Sequence, residues 1–333
     1  MGAIIPVFIP HVGCPHDCVF CNQKKIAGTI APPTAEDVTK IIEEALAKIK
    51  SRAEVAFYGG SFTAISGPDM TAYLDAVAPY IESGEISSIR LSTRPDCIDD
   101  EVLSLLREKG VKTIELGVQS MDEDVLLKSG RGHTAFDARN AAKLVRRYGF
   151  SLILQMMTHL PGSDEQKDIY TAREIAKLNP DGVRVYPTVV IKDTALLSLM
   201  QKGEYIPATP KEAARLGAEI LEIFDEENIP VIRFGLNPSD ELSAGDAVCG
   251  AYHPALGEMA MSERFFQRIR KEAEEKGISG ENINIYVARG KKSACVGQKR
   301  ANIKKLTEET GFSSVRVFES DALSGFSVVI ERS

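Results

Sequence analysis

Short apolar runs alternate with amphipathic stretches from residue 1 to about residue 235. The runs at 3–9 (AIIPVFI), 53–59 (AEVAFYG), 87–93 (SSIRLST), 113–118 (TIELGV), 151–157 (SLILQMM), 182–187 (GVRVYP) and 230–235 (PVIRFG) read as strands. Between them, helical patterns cover 34–50, 67–82, 99–109, 122–129, 134–148, 164–178 and 209–227, with Thr34 as the first N-cap. Strands that alternate with crossover helices make a parallel sheet. The expected fold is α/β, a partial or complete (β/α) barrel of six or seven units. In such folds the active site lies where strands end and the following loops begin. GGSFT, STRPD, GVQS, HLPGS and YPT each follow a strand, so five candidate site loops gather on one rim.

The pattern changes after residue 236. A stretch rich in Gly, Pro, Ser and Ala (237–255) reads as a linker, followed by a helix over 257–276. A small α+β unit follows: strand 283–287, helix 298–310, and strands 314–319 and 325–330. We expect a barrel over 1–255, and over 256–333 a helix plus a small basic α+β domain.

Composition narrows the class. At 333 residues, with 44% hydrophobic and 26% charged positions, the chain has an ordinary globular mix and needs no disulfide staple. No apolar run approaches the ~18 residues of a membrane span. The apolar N-terminus lacks a positive n-region and holds Pro6 and Pro10, so it reads as a buried strand and not a signal peptide. Pro6 also argues against myristoylation of the Met-Gly start. The expected location is cytoplasmic, with no membrane partner. The net charge of −7 argues against a generally basic surface, but it is an average. Residues 283–333 carry nine Lys/Arg against five Asp/Glu, leaving 31 against 42 for the rest. A mildly basic tail sits on an acidic body.

Three of the six cysteines fall within eight residues. Cys14, Cys18 and Cys21 form a C-x3-C-x2-C loop directly after the first strand. Metal or redox chemistry is the first reading of so tight a cluster. A zinc site usually wants four ligands. Three thiolates suit three irons of a [4Fe–4S] cube, leaving one iron open for another ligand. His11 and His16 lie in the same loop and read as solvated histidines before ligands. Cys97, Cys249 and Cys295 are far apart in the chain and read as packing residues.

The C-x3-C-x2-C loop, with the aromatic Phe20 before its last cysteine, resembles the radical S-adenosylmethionine superfamily. There the open iron chelates the amino and carboxylate groups of S-adenosylmethionine. An electron from the reduced cluster cleaves the sulfonium to a 5′-deoxyadenosyl radical, which abstracts hydrogen from a substrate. The resemblance implies Cys14, Cys18 and Cys21 as cluster ligands, with Phe20 near the adenine. Tyr58-Gly59-Gly60-Ser61 matches a Gly-Gly element whose backbone receives the methionyl amino group, although Ser61 stands where many members carry an acid. Ser92-Thr93-Arg94-Pro95-Asp96 resembles the E-T-R-P-D element of Elongator catalytic-subunit-like proteins, with Ser92 in place of the glutamate. Gly117-Val118-Gln119-Ser120 matches a G-V-Q-S shared with the oxygen-independent coproporphyrinogen oxidases and gives Gln119 a ribose contact. Gly130-Arg131-Gly132-His133 resembles the G-R-x-H of those oxidases, which turns Arg131 toward the S-adenosylmethionine carboxylate. Gln155, in a segment like their D-L-x-x-G-L-P-G, approaches the ribose, while Met156 and Met157 read as packing. Val185-Tyr186-Pro187-Thr188-Val189-Val190-Ile191-Lys192 and the following Thr194-Ala195-Leu196 point to the Elongator-like subgroup. The resemblance covers about residues 4–260. Nothing after residue 260 is long enough for the acetyltransferase domain of the Elongator proteins.

Gly297-Gln298-Lys299-Arg300, placed between a strand and a helix, loosely resembles the G-x-x-G loop of KH-type RNA-binding modules. With Lys304, and with Lys291 and Lys292 nearby, it reads either as an RNA contact or as a solvated loop. Tyr186, Cys249 and Tyr252 are candidate hydrogen donors to a product radical; His133 and His159 are acid–base or structural. The expectation is a radical S-adenosylmethionine enzyme with a [4Fe–4S] cluster, served by a reductant such as flavodoxin or ferredoxin, and acting on a tRNA or rRNA base. The competing readings are a small-molecule substrate such as a porphyrin or cofactor precursor, and a non-catalytic iron–sulfur RNA-binding protein.

Overall fold

The computed structural model describes residues 3–10, 14–22, 32–236 and 246–333. Strand and helix alternate from the start: β1 (Ala3–Ile9), α1 (Ala35–Leu46), β2 (Ala53–Gly59), α2 (Gly67–Glu82), β3 (Ile86–Thr93) and α3 (Asp100–Glu108). The alternation continues through β4 (Val111–Gln119), α4 (Glu123–Lys128), α5 (Ala135–Arg147), β5 (Ser151–Thr158) and α6 (Glu165–Lys177). Then come β6 (Gly182–Pro187), β7 (Val189–Ile191), α7 (Ala195–Gln201), α8 (Pro210–Glu226) and β8 (Val231–Phe234).

Seven strands form one sheet in the order β1-β2-β3-β4-β5-β6-β8, and every pairing is parallel. Among the described residues β8 does not pair with β1, so the barrel is partial. The helices begin on polar caps: Thr34, Ser66, Asp99, Asp122, Thr134, Asp164, Thr194 and Thr209 each accept a first-turn amide. Each such cap is worth about 1 kcal/mol. Helix α1 stops at Leu46, short of the expected residue 50, because the amides of Lys48 and Ile49 both turn to the Ala45 carbonyl.

The period-2 alternation of a strand divides the side chains between two faces. Outward, Val55, Phe57, Leu91, Ile114, Leu116, Leu154 and Val185 are buried together with Leu74, Val77, Leu106, Ile175 and Ile220 of the helices. The positions between them, Glu54, Arg90, Glu115 and Arg184, turn into the barrel lumen. They are charged, which a core never tolerates unpaired.

The segment expected to be a linker contains structure. Strand β9 (Ala247–Gly250) pairs antiparallel with β7, and α7 packs against this ribbon. Residues 237–245 of that linker, and His11, lie outside the described residues.

Helix α9 (Leu256–Glu275) lies against α8. Arg264 and Arg268 both reach Glu222 and Asp225 of α8, Arg264 Nε at 2.6 Å from Glu222. The other face of α9 gives Phe265, Phe266 and Ile269 to a second core with Ile283, Ile285, Leu306, Phe312 and Val317. That core is completed by β10 (Asn282–Ala288), α10 (Lys292–Val296), α11 (Ala301–Thr310), β11 (Ser314–Ser320) and β12 (Val328–Arg332). The sheet order is β11-β10-β12, parallel on one side of β10 and antiparallel on the other. The Gly297–Arg300 loop therefore joins two helices and not a strand to a helix, because burial of Cys295 winds 292–296 into a helical turn. Among the described residues no helix is long and apolar enough to cross a membrane.

Candidate functional site

The cysteine loop crosses the C-terminal rim of the sheet and is held from two sides. The Val19 amide donates to the Ser129 carbonyl at 3.1 Å, beside the Gly130–His133 turn. Gly130 and Gly132 both have positive φ, and a Cβ on Gly132 would lie 2.4 Å from the His16 ring. A side chain there would push the loop away, which is the local reason for glycine. On the other side, the Leu196 amide donates to the Val19 carbonyl at 2.8 Å, and Asn22 Nδ2 donates to the Lys192 carbonyl at 2.7 Å. The segment from β7 into α7 thus straps the loop.

The three cysteines face a cavity of about 610 Å³ in the barrel mouth. Strand ends supply the rest of its upper wall: Tyr58 to Ser61 from β2, Ser92 to Arg94 from β3, Gly117 and Gln119 from β4, and Gln155 from β5. Phe20, Arg131 and Tyr186 also line it. All the residues expected to hold the cluster and S-adenosylmethionine are brought to this one cavity. At Gly59, φ is +120° and a Cβ would fall 2.1 Å from the Ile9 carbonyl oxygen; the Gly60 amide donates to the same oxygen at 3.1 Å. Only glycine permits that close approach. The Cys14 thiol donates to Ser61 Oγ at 3.7 Å. Gln119, with φ of +66°, exchanges amide hydrogen bonds with Gln155 at 2.7 and 2.9 Å.

Two buried guanidiniums stand beside the cysteines. Arg94 grips Asp96 through Nε at 2.9 Å and Nη2 at 3.0 Å, and also donates to the Arg131 carbonyl. Arg131 donates from Nη1 to Cys18 Sγ at 3.3 Å and from Nη2 to the Gly117 carbonyl at 2.7 Å. Its Nε is buried without a partner, and among the described residues no carboxylate pairs with it. An uncompensated buried cation is costly. The site therefore fits an anionic group: a thiolate-held cluster, or the carboxylate of S-adenosylmethionine. Gly117 helps, since a Cβ there would sit 2.9 Å from the Gln119 amide and 3.4 Å from Arg131. Among the described residues no three Cys, His, Asp or Glu side chains converge on a point for a single metal ion. A cube takes one thiolate per iron and requires no such point.

Several expected roles move. Cys249 does not line the cavity. It sits on β9 with its thiol 3.0 Å from Met200 Sδ, beside Val190, Leu196 and Tyr205, and burial raises its pKa. His133 is buried below the rim with Nε2 3.1 Å from the Val118 carbonyl; burial and the Arg131 charge push its pKa down to about 4. His159, at φ +59°, hydrogen-bonds Thr158 Oγ1 and lies outside the cavity, so neither histidine is a rim acid–base group. Cys295 is core, its thiol pushed up to about 12 by burial. Cys97 is only half-buried; its pKa is raised by burial and Asp96, with Cys14 adding to the effect. Lys299 and Arg300 both take positive φ in the α10–α11 loop, and Lys304 lies in the first turn of α11.

The sequence reading missed the lower lumen. Glu115 accepts from Arg90 Nη1 at 3.1 Å, from Arg184 Nη2 at 3.2 Å and from Tyr58 at 3.4 Å. Arg90 also pairs with Glu54 at 2.9 Å. Burial and Glu115 push the Tyr58 hydroxyl up to about 12. The available clue was a charged residue at an inward position of a strand expected to be buried on both faces.

Comparison with known families agrees with this geometry. The Radical SAM superfamily model matches residues 8–175, and the Radical_SAM C-terminal domain model matches 180–268. The chain belongs to the radical SAM superfamily and is an enzyme of that class. Within it, the resemblance is to the Elongator type. The chain is 34% identical over 174 residues to Elongator complex protein 3 of Schizosaccharomyces pombe, covering 50% of this chain and 31% of that one. It is 27% identical over 257 residues to the tRNA uridine(34) acetyltransferase of Methanocaldococcus jannaschii, covering 64% and 47%. The solved archaeal Elp3 of Methanocaldococcus infernus shares the fold with a TM-score of 0.60 at 23% identity, over 83% of this chain and 63% of that one. The chain thus spans less than half the length of those two curated relatives.

Proposed function

We propose that Cys14, Cys18 and Cys21 hold a [4Fe–4S] cluster at which S-adenosylmethionine is reductively cleaved, and that the resulting radical modifies a base of RNA, a tRNA first. The carrying observation is Arg131, a buried cation without a carboxylate beside three cysteines. When bound, the cluster and S-adenosylmethionine together supply a 5′-deoxyadenosyl radical from one electron, delivered by a reductant such as flavodoxin or ferredoxin. The residues position the cofactor. Arg131 and Arg94 give the site positive charge, Gly59 and Gly60 offer close backbone, and Phe20 closes over the adenine. Gln119 and Gln155 present paired amides to the ribose, and Ser61 and Ser92 add hydroxyls at the rim. Tyr186 is the cavity-lining candidate for hydrogen donation.

The RNA reading is supported by relatives whose names carry tRNA chemistry and by the basic loop of Gly297, Lys299 and Arg300 with Lys304. A small-molecule substrate is the second reading, favoured by a cavity of about 610 Å³, a size that suits a small ligand. Anaerobic reconstitution with dithionite and S-adenosylmethionine should release 5′-deoxyadenosine; an intact cluster without that product overturns the proposal. Charge reversal at Lys299 and Arg300 should abolish low-salt RNA binding. A modified nucleoside lost from total RNA on gene deletion would name the substrate.

A further inference from the structure

The small sheet β11-β10-β12 has two unlike faces. Ile283, Ile285 and Val287 of β10, with Val315 and Val317 of β11, point into the core shared with α9 and α11. Alternation turns the residues between them to the other face. There Tyr286 and Phe318 are register partners, and their rings stack with centroids 5.6 Å apart and planes 28° from parallel. Val329 of β12 is the partner of Tyr286 on its other side, so three apolar side chains lie in a row across the sheet. Phe318, at the end of that row, is 41% exposed. Single surface apolar residues need no explanation, but contiguous ones mark a contact site.

Charge narrows what that contact is. Arg316 is exposed on the same face, two residues before Phe318. Glu331, on the same row, lies beyond Asn284. Topology adds the basic loop. Because β10 and β11 are parallel, the chain between them must return the length of the sheet, and α11 makes that return. The Gly297–Arg300 loop before α11 therefore lies at the end where the strands finish. Tyr286 and Phe318 stand near that same end, before Ala288 and Ser320 close their strands.

We propose that this outer sheet face binds single-stranded RNA. A base stacks on the open side of Phe318, Tyr286 backs that ring, and Arg316 takes the phosphate of the same nucleotide, about 7 Å along the strand. The backbone then leads over the end of the sheet to Lys299 and Arg300. The proposal takes its role from the reading of RNA as the substrate and rests on that reading. Only unpaired bases offer their faces to a ring, so the platform prefers a single strand to a duplex. Stacking is tolerant of sequence, so the face supplies grip and leaves the choice of base to the barrel cavity.

The test is fluorescence anisotropy of a short labelled oligouridylate with the full chain, at low salt and without S-adenosylmethionine. The single strand should bind more tightly than its duplex with oligoadenylate. Phe318→Ala should weaken single-strand binding about tenfold. Phe318→Leu keeps apolar area without a ring and should weaken it as much, whereas Phe318→Trp should retain it. The chain has no tryptophan, so that variant also carries a lone reporter whose fluorescence RNA should quench. Arg316→Gln should lower the slope of log affinity against log salt by about 0.7. Melting temperatures would show whether a variant has lost its fold; Phe318→Trp and Arg316→Gln then carry the test. Absence of wild-type binding, equal binding of the duplex, or full affinity in Phe318→Ala or Phe318→Leu would overturn the platform. So would a Phe318→Ala change in oligomeric state without a change in RNA affinity, which would assign the face to a second copy of the chain. Binding lost on reversing Lys299 and Arg300 but kept in Phe318→Ala overturns the platform alone. The comparison of nucleosides in total RNA judges the substrate reading separately.

Discussion

Arg131 donates from Nη1 to the Sγ of Cys18 at 3.3 Å, and both residues are buried. A cationic donor on a cluster sulfur stabilises the more negative, reduced state and raises the reduction potential. Replacing it with Arg131→Gln should leave the reconstituted cluster harder to reduce. A hydrogen bond worth about 1 kcal/mol corresponds to a shift on the order of 40 mV for one electron. Potentiometric titration followed by electron paramagnetic resonance reads this without any turnover. An unchanged potential would mean that Arg131 serves only the carboxylate of S-adenosylmethionine.

The Gln119–Gln155 pair makes a second prediction. The two amides satisfy each other across the ends of β4 and β5. Gln119 holds a left-handed backbone, an arrangement that costs about 1 kcal/mol and persists where the surroundings impose it. Gln155→Ala should weaken S-adenosylmethionine binding about tenfold while shifting the melting temperature little, since Gln155 is only half-buried. Equilibrium dialysis with labelled S-adenosylmethionine would measure it. Full affinity in the variant would remove Gln155 from the site.

What the sequence disclosed followed from local rules. Strand periodicity and polar caps such as Thr34 and Thr134 located the barrel elements, because both depend on residues within one or two turns. The cysteine loop was legible from spacing alone. The Glu115–Arg184 and Glu115–Arg90 pairs were not, since they join residues 69 and 25 positions apart across the inner face of the curved sheet. Cys249 was misplaced because the β7–β9 ribbon is set by long-range pairing of two short strands. For His133 the sequence left acid–base and structural roles open, because burial and not chain position decides between them; its bond to the Val118 carbonyl gives the structural one.

Gly59 tests the rim geometry directly. Its φ of +120° and the 2.1 Å approach of a Cβ to the Ile9 carbonyl leave no room for alanine. The obstacle is backbone, which cannot rotate aside. Gly59→Ala should destabilise the fold by about 3 kcal/mol or more and part the end of β1 from β2. Denaturant unfolding would measure the loss, and hydrogen exchange should show earlier opening of residues 7–9. A loss under about 1 kcal/mol would show that the β1 edge yields easily.

His133 and Asp168 titrate in opposite senses. Burial and the nearby Arg131 and Arg94 depress His133 from 6.5 to about 4, so between those values the unfolded chain holds a proton that the native chain lacks. Its contribution to stability is complete above the unfolded pKa and falls as pH drops. Asp168 is buried, accepting from the His159 amide at 2.8 Å and the Ser163 hydroxyl at 2.6 Å, and burial raises it from 3.8 to about 7. There the native chain holds the extra proton, so its contribution falls as pH rises from about 4 to 7. In the wild type the two slopes, each about 1.4 kcal/mol per pH unit, oppose one another between about pH 4 and 6.5. Asp168→Asn removes one of them; its amide oxygen can still accept from the His159 amide, while its NH2 can donate to the Ser163 hydroxyl oxygen. Its stability should therefore climb with pH across that window, relative to the wild type, by about 1 kcal/mol per unit. Urea unfolding at half-unit steps would trace the difference. Parallel curves for the two proteins would mean that Asp168 is ionised in the native state.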